Sequence, residues 1–451
     1  MFKRKIYSKL LEWKNDFSNE SALLIEGARR IGKSTIVEEF AKKEYKSYIL
    51  IDFNDTTDII IDAFNKHLND LDTFFMILAT EYNKELYPHN SLIIFDEVQK
   101  FPKARQSIKK LVKDGRYDYI ETGSLISIQE NVKDITIPSE EQSLLMYPMD
   151  FEEFCWALGE IKLLEYIKSC YQNKVPLNDN FHHKAMLLFK QYMLVGGMPK
   201  VVKTYIDNSR SFIKADKEKR KIINLYKNDI SKADGKYKTR IQSIFEQIPS
   251  FLSKHEKRIR LTNLETNAKY PMYQETFYWL KSSMMTNECY LCNDPNVGLS
   301  LNEDRTYIKC YMGDTGLLIS LAFGESELSD GMLYKQILHD NLSINEGMLF
   351  ENAIAQVLAS KNYSLFFYTH YNQESHRNDI EIDFIISNGS KLKPKIFPIE
   401  VKSSKKYQAK SLIKFKSKYK DRIDESYIIH TKNFKIEDDI IYIPAYMAFC
   451  L

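Results

Sequence analysis

Residues Gly27-Ala28-Arg29-Arg30-Ile31-Gly32-Lys33-Ser34 satisfy the pattern G-x-x-x-x-G-K-[ST] at every fixed position. That spacing serves the holding of a di- or triphosphate. Glycines let main-chain N–H groups turn inward around the phosphates, and a helix that follows adds the positive end of its dipole. Lys33 is then expected to reach the β- and γ-phosphates and Ser34 to bind Mg²⁺, with Thr35 completing the set that lines the nucleotide. Further along, the apolar run Leu92-Ile93-Ile94-Phe95 ends in Asp96-Glu97. Downstream of a phosphate loop, such a strand delivers Asp96 beside the metal and Glu97 beside the γ-phosphate, where it can orient or deprotonate an attacking water.

A second constellation lies near the C-terminus. In Asp379-Ile380-Glu381-Ile382-Asp383-Phe384 strict alternation puts the acids on one face and the apolar residues on the other. A turn through Asn388-Gly389-Ser390 reverses the chain, and Ile399-Glu400-Val401-Lys402 alternates again. A helix from about Asn345 to Lys361 places Gly347, Glu351, Ile354 and Leu358 on one stripe, so Glu351 points along the apolar side. An acid there needs a reason. Glu351, Asp383, Glu400 and Lys402 suit hydrolysis of a phosphodiester. Asp383 and Glu400 would hold one or two Mg²⁺ ions, and the lysine would stabilise charge or help to activate water.

The elements that must position these groups are readable in outline. Apolar strands at Ala22–Ile25, Ser47–Phe53, Ser91–Glu97 and Tyr117–Ser124 alternate with helical stretches after Ser34, at 58–68 and 71–83, and at Lys103–Val112. Strand–helix alternation implies a parallel sheet with helices on both faces and a site at the carboxyl ends of its strands.

The phosphate loop, together with Ile94-Phe95-Asp96-Glu97-Val98-Gln99, Thr122-Gly123-Ser124 and Tyr147–Phe154, resembles a large family of prokaryotic AAA-type ATPases. The likeness continues through Gly196-Gly197-Met198-Pro199, Lys309–Leu318 and the last hundred or so residues. It implies an α/β multidomain protein: an AAA-type P-loop ATPase domain over 1–155, a helical and winged-helix-like connector over 156–330, and a C-terminal domain over 331–451. The acid at Glu351, the Asp383 strand and Glu400-Val401-Lys402 look like the pattern of restriction-endonuclease-like nucleases. By the same resemblance Ser124, with Thr122 as the second choice, senses the γ-phosphate. Relatives carry an arginine shortly after that strand, where this chain reads Ile137-Pro138-Ser139-Glu140-Glu141-Gln142. An arginine finger would then come from Arg116, Arg29 or Arg30 across a homo-oligomer.

Bulk composition bounds the rest. The chain has 451 residues, enough for about three domains, and a net charge of only +3, which carries no information on partners. Its six cysteines are scattered, unlike a secreted disulfide framework, and Cys289-Tyr-Leu-Cys292 lacks the second half of a zinc site. Met1–Asn15 lacks the apolar core and cleavage site of a secretion signal, and no window reaches the length of a membrane span. A cytoplasmic protein with no membrane partner is expected. Between Lys391 and Arg422 bases far outnumber the acids Glu400 and Asp421, as a surface for DNA or RNA would require. The cofactors expected are ATP and Mg²⁺. Two functions stay open: an ATP-dependent enzyme acting on nucleic acid, and an ATP-driven switch whose last domain binds protein or nucleic acid without catalysis.

Overall fold

The computed structural model describes residues 1–124, 138–233, 235–328, 331–338, 346–374, 376–388, 395–404 and 406–451. Ile137, Asn345, the turn residues Gly389 and Ser390, and Lys391, Lys393 and Lys405 lie outside them. The chain divides into a first unit of Met1–Tyr147 with Ser282–Met284 and a second of Pro148–Lys281 with Met285–Leu451.

In the first unit, α1 (Ile6–Asp16) precedes β1 (Ala22–Gly27), α2 (Lys33–Glu44), β2 (Ser47–Asp52), α3 (Asp58–Lys66), α4 (Leu71–Glu81), β3 (Ser91–Asp96), α5 (Pro102–Asp114), β4 (Asp118–Gly123) and β5 (Glu141–Met146). The strands form a five-stranded sheet in the order β2-β3-β4-β1-β5, with every pairing parallel. A parallel sheet is covered on both faces, which is why β3 is a continuous apolar run with Ile93, Ile94 and Phe95 fully buried. Phe53, Phe64, Phe74 and Phe95 pack edge to face on one side of it, with ring centroids 5.0–5.9 Å apart. Strand β5 carries no such run because it is an edge strand. It is tied down by Arg105 of α5, which makes two hydrogen bonds of 2.8 and 2.6 Å to Glu141. The order has one decisive consequence: β3, β4 and β1 are successive neighbours, so Asp96, Thr122 and Gly27 end side by side.

The second unit opens with helices, among them α6 (Phe151–Ala157), α7 (Ile161–Gln172), α8 (Asp179–Val195), α9 (Pro199–Asp207), α10 (Phe212–Ile230) and α11 (Gly235–Leu252). Strands β6 (Thr286–Cys292) and β7 (Glu303–Met312) and helices α12 (Thr315–Ala322) and α13 (Glu346–Ser360) follow. Then come β8 (Leu365–Asn372), β9 (Arg377–Asn388), β10 (Lys395–Lys402), α14 (Lys410–Lys418), β11 (Tyr427–His430), β12 (Lys435–Glu437) and β13 (Ile440–Pro444). These strands build an eight-stranded sheet in the order β12-β13-β11-β10-β9-β8-β6-β7.

One expectation changes here. The β6–β7 ribbon, read as part of a winged-helix-like connector, belongs to the C-terminal sheet: β6 pairs in parallel with β8 through Cys289 and Leu365. Pairing over that sequence distance leaves no local signature. The Gly196-Gly197 turn is a packing junction. A Cβ on Gly197 would lie 2.0 Å from the Met149 carbonyl oxygen, and one on Gly196, whose φ is +84°, would lie 2.1 Å from Asp314 Oδ1. Gly197 N–H donates to Asp314 Oδ2 at 2.5 Å, while Leu317 N–H donates to its Oδ1 at 3.0 Å and so caps α12.

Candidate functional site

The loop after β1 is shaped by what a side chain would hit. A Cβ on Gly27 would come within 2.5 Å of the Met146 carbonyl oxygen and of Ile31 Cδ1, so only glycine fits. Arg30 and Gly32 take left-handed backbone, with φ of +67° and +92°, and Gly32 opens α2. The first N–H groups of α2, those of Lys33, Ser34 and Thr35, therefore start at the loop, as an anion site requires. The Lys33 ammonium folds back onto the loop and donates to the Gly27 and Ala28 carbonyls at 2.9 and 3.0 Å. Burial pushes its pKa down to about 8, against the opposing pull of Glu97 and Asp96. Relative to an ordinary lysine that displacement is worth about 3 kcal/mol, which phosphate charge is suited to offset.

Asp96 ties the ends of β3 and β4 to the start of α2. Ser34 Oγ donates to its Oδ1 at 2.8 Å, and Thr122 Oγ1 donates to the same oxygen. The Glu97 N–H in turn points at Thr122 Oγ1, 3.5 Å away. Glu97 itself sits at φ +55°, and its Oε2 accepts from Gln99 Nε2 at 2.5 Å. A serine hydroxyl touching a carboxylate at the end of a phosphate loop is an oxygen donor pair that suits Mg²⁺. The residues present fit a Mg²⁺–nucleotide, whose metal Ser34 and Asp96 would hold.

Of the residues expected here, Gly27–Ser34, Asp96 and Glu97 converge. The small polar residue that joins Asp96 by hydrogen bond is Thr122; Ser124 is buried just beyond the end of β4. Arg116 is engaged within its own unit, bonded to Asp114 at 2.8 Å and to Asp72 at 2.6 Å.

The acids of the second unit also converge, with partners that the sequence did not announce. Helix α13 is latched to β7 by Asn352, which accepts from Met312 N–H at 2.7 Å, and to the start of α12 by Gln356, which accepts from Thr315 N–H at 2.8 Å. That seat buries Glu351. Its Oε1 accepts from the Tyr311 hydroxyl and from Lys309 Nζ at 3.3 Å, and its Oε2 from Lys257. Burial alone would raise the Glu351 pKa, but Lys257 and Lys309 outweigh it and hold it at about 2. Lys309 Nζ also lies 3.5 Å from Asp383 Oδ1. The β9–β10 ladder stops at the Phe384–Ile399 pair, and the next N–H, that of Val401, donates to Asp383 Oδ2 at 2.8 Å. Glu400 is fully buried, neither of its oxygens has a hydrogen-bond partner, and Lys402 Nζ stands 3.1 Å from Oε2 as an ion pair. Burial, aided by Asp383 and opposed by Lys402, pushes the Glu400 carboxyl up to about 7.

Lys309 is the residue that sequence reading missed. It sits on β7, in the ribbon assigned to another domain, and its burial among acids exists only once β7 joins this sheet. Among the described residues no group of three or more His, Cys, Asp or Glu side chains is arranged to hold a metal ion. Three of the lysines expected to meet nucleic acid are engaged too. Lys414 bonds to Asp379, Lys416 to the Asp438 and Asp439 carbonyls, and Lys418 to the Tyr368 hydroxyl.

Comparison by sequence family matches residues 19–155 to a family described as "AAA domain". Residues 19–155 are an AAA-type P-loop domain. Two further families match parts of the remainder, both domains of unknown function: DUF8612 over residues 186–328 and DUF4143 over residues 346–447. Comparison with curated proteins gives no match. Among solved structures, the chain is similar to a Walker-type ATPase of Pyrococcus abyssi at 16% identity, covering 72% of this chain and 96% of that one with a TM-score of 0.42. It is also similar to the ORC2 protein of Aeropyrum pernix at 11% identity, covering 75% and 93% of the two chains with a TM-score of 0.34. Among the described residues, no helix of the AAA domain or of the second unit is long and apolar enough to cross a membrane.

Proposed function

We propose that this chain is a Mg²⁺-dependent ATPase that works as a switch, hydrolysing ATP in its AAA domain, with the C-terminal unit as a binding module without catalysis. The observation that carries the first half is the junction at Asp96, where the phosphate-loop hydroxyl of Ser34 and the β4 hydroxyl of Thr122 meet one carboxylate oxygen. In this reading Mg²⁺ supplies charge neutralisation at the β- and γ-phosphates. The α2 N-terminus and Lys33 hold the phosphates, with Lys33 exchanging its loop carbonyls for phosphate oxygens. Asp96 orients Ser34, and Glu97 accepts the proton of the attacking water while Gln99 holds its carboxylate.

The second half is supported by the engagement of Glu351 and Asp383 with Lys257 and Lys309. A rival reading, metal-dependent cleavage of a phosphodiester at Glu351, Asp383, Glu400 and Lys402, draws on one observation: Glu400 is buried with both oxygens lacking a hydrogen bond. Incubation of the full chain with DNA or RNA and Mg²⁺ or Mn²⁺ separates the two, because cleavage lost in Asp383→Asn would establish the rival.

The ATPase half is tested by phosphate release from ATP. Release that needs Mg²⁺ is expected. Lys33→Ala should weaken ATP binding by about 10- to 100-fold, the worth of a charge-assisted contact of roughly 1.5–3 kcal/mol. An unchanged affinity in that variant would remove Lys33 from the site.

A further inference from the structure

In the second unit a fully buried lysine on a sheet strand stands between two acids. Lys309 Nζ is 3.3 Å from Glu351 Oε1 and 3.5 Å from Asp383 Oδ1, with Lys309 and Glu351 both almost wholly out of solvent. The carboxylate oxygens that do not face it are taken by the protein itself: Glu351 Oε2 by Lys257 and Asp383 Oδ2 by the Val401 N–H. We propose that the Lys309 ammonium is the resident cation of this acid cluster, filling the place between Glu351 and Asp383 where a divalent ion would otherwise have to bind, so that the cluster takes no divalent metal. The contacts carry this by themselves, although the proposal also deepens the non-catalytic reading of the C-terminal unit.

The physical argument is one of charge and room. Carboxylates removed from water must be neutralised, and a cation seated in low dielectric between two of them is held by both. Burial works against charge on Lys309, and the two carboxylates within 3.5 Å of its Nζ, Glu351 and Asp383, offset that cost. A divalent ion bonding Glu351 and Asp383 together would need oxygens at about 2.0–2.6 Å. Reaching them would require displacing an ammonium that cannot leave its strand, since β7 is paired with β6 from Met312 to Glu303. Glu400, the remaining acid, has Lys402 beside it. Lysines thus serve the three acids expected of the metal site, Glu351, Asp383 and Glu400.

The test is calorimetric titration of Mn²⁺ into the full-length chain without nucleotide, comparing wild type with Asp383→Asn, and Lys309→Met with the double variant Lys309→Met/Asp383→Asn. Reading only the part of the signal that Asp383→Asn removes leaves the phosphate-loop site out of the comparison. Wild type should have no such Mn²⁺ site. Lys309→Met should gain one per chain, lose it again in the double variant, and melt at a higher temperature when Mn²⁺ is present. An Asp383-dependent Mn²⁺ site in wild type, or a folded Lys309→Met that gains none, overturns the proposal. Should Lys309→Met not fold, Lys309→Gln, which keeps a hydrogen-bond donor toward Glu351, serves with the same expected gain. Nucleic-acid cleavage lost in Asp383→Asn without an Asp383-dependent Mn²⁺ site would sink the non-catalytic reading and leave the Lys309 assignment standing.

Discussion

Asp96 accepts from hydroxyls on two different elements, and the residue after it, Glu97, is turned through a left-handed backbone so that its carboxylate meets Gln99. A non-glycine residue at positive φ is strained, and the strain persists only where neighbours over-determine it. Here the Gln99 amide supplies part of that restraint, while its own Oε1 is buried without a hydrogen bond. If Gln99 positions Glu97, Gln99→Ala should lower kcat about tenfold, the worth of roughly 1.4 kcal/mol, and leave the KM for ATP unchanged. A raised KM with kcat intact would place Gln99 in nucleotide binding instead. At this scale the sequence was informative where chemistry forces a fixed spacing, as in Gly27–Ser34 and Asp96-Glu97. It was silent on Lys309, since nothing in Tyr307–Tyr311 distinguishes a buried lysine from a solvated one.

Elements are governed by pairing. Apolar runs identified β1 to β4, but β5 lies at the edge of its sheet, carries Glu141, Gln142 and Ser143, and gave no signal. The β6–β7 ribbon was legible as strands and wrongly grouped, because its partner β8 comes only after α13. Strand β11 shows what burial in such a sheet does to a titratable group. His430 is fully buried, its Nδ1 accepts from the Tyr407 hydroxyl at 2.6 Å, and its Nε2–H donates to the Asn433 carbonyl at 3.2 Å. Burial pushes its pKa down to about 4, from an ordinary value near 6.5. The imidazole stays neutral in the fold while the unfolded chain takes up a proton, so stability is full above about pH 6.5 and falls as the pH drops toward 4. The loss is on the order of 3 kcal/mol at the lower end. Urea unfolding of wild type and His430→Gln across that range should give a steeper acid decline in wild type; parallel curves would show that His430 takes its proton equally in both states.

For the whole molecule, the AAA domain was legible from local sequence because its site is built from three short motifs at the ends of neighbouring parallel strands. The second unit was legible only in pieces. Its acids were found by alternation and by the helical stripe, but the lysines that neutralise them come from Lys257 and Lys309, far away in the chain. The motifs Gly196–Pro199 and Lys309–Leu318, conspicuous as sequence, meet at Asp314 and hold helices together. What joins the molecule's function is the proposal that ATP turnover in one unit governs binding by the other. Its first requirement is hydrolysis with Glu97 as the base. The most direct measurement is therefore ATP binding and phosphate release by Glu97→Gln beside wild type: the variant should bind ATP with wild-type affinity and release phosphate about 10²–10⁴-fold more slowly. Release at the wild-type rate would contradict the account.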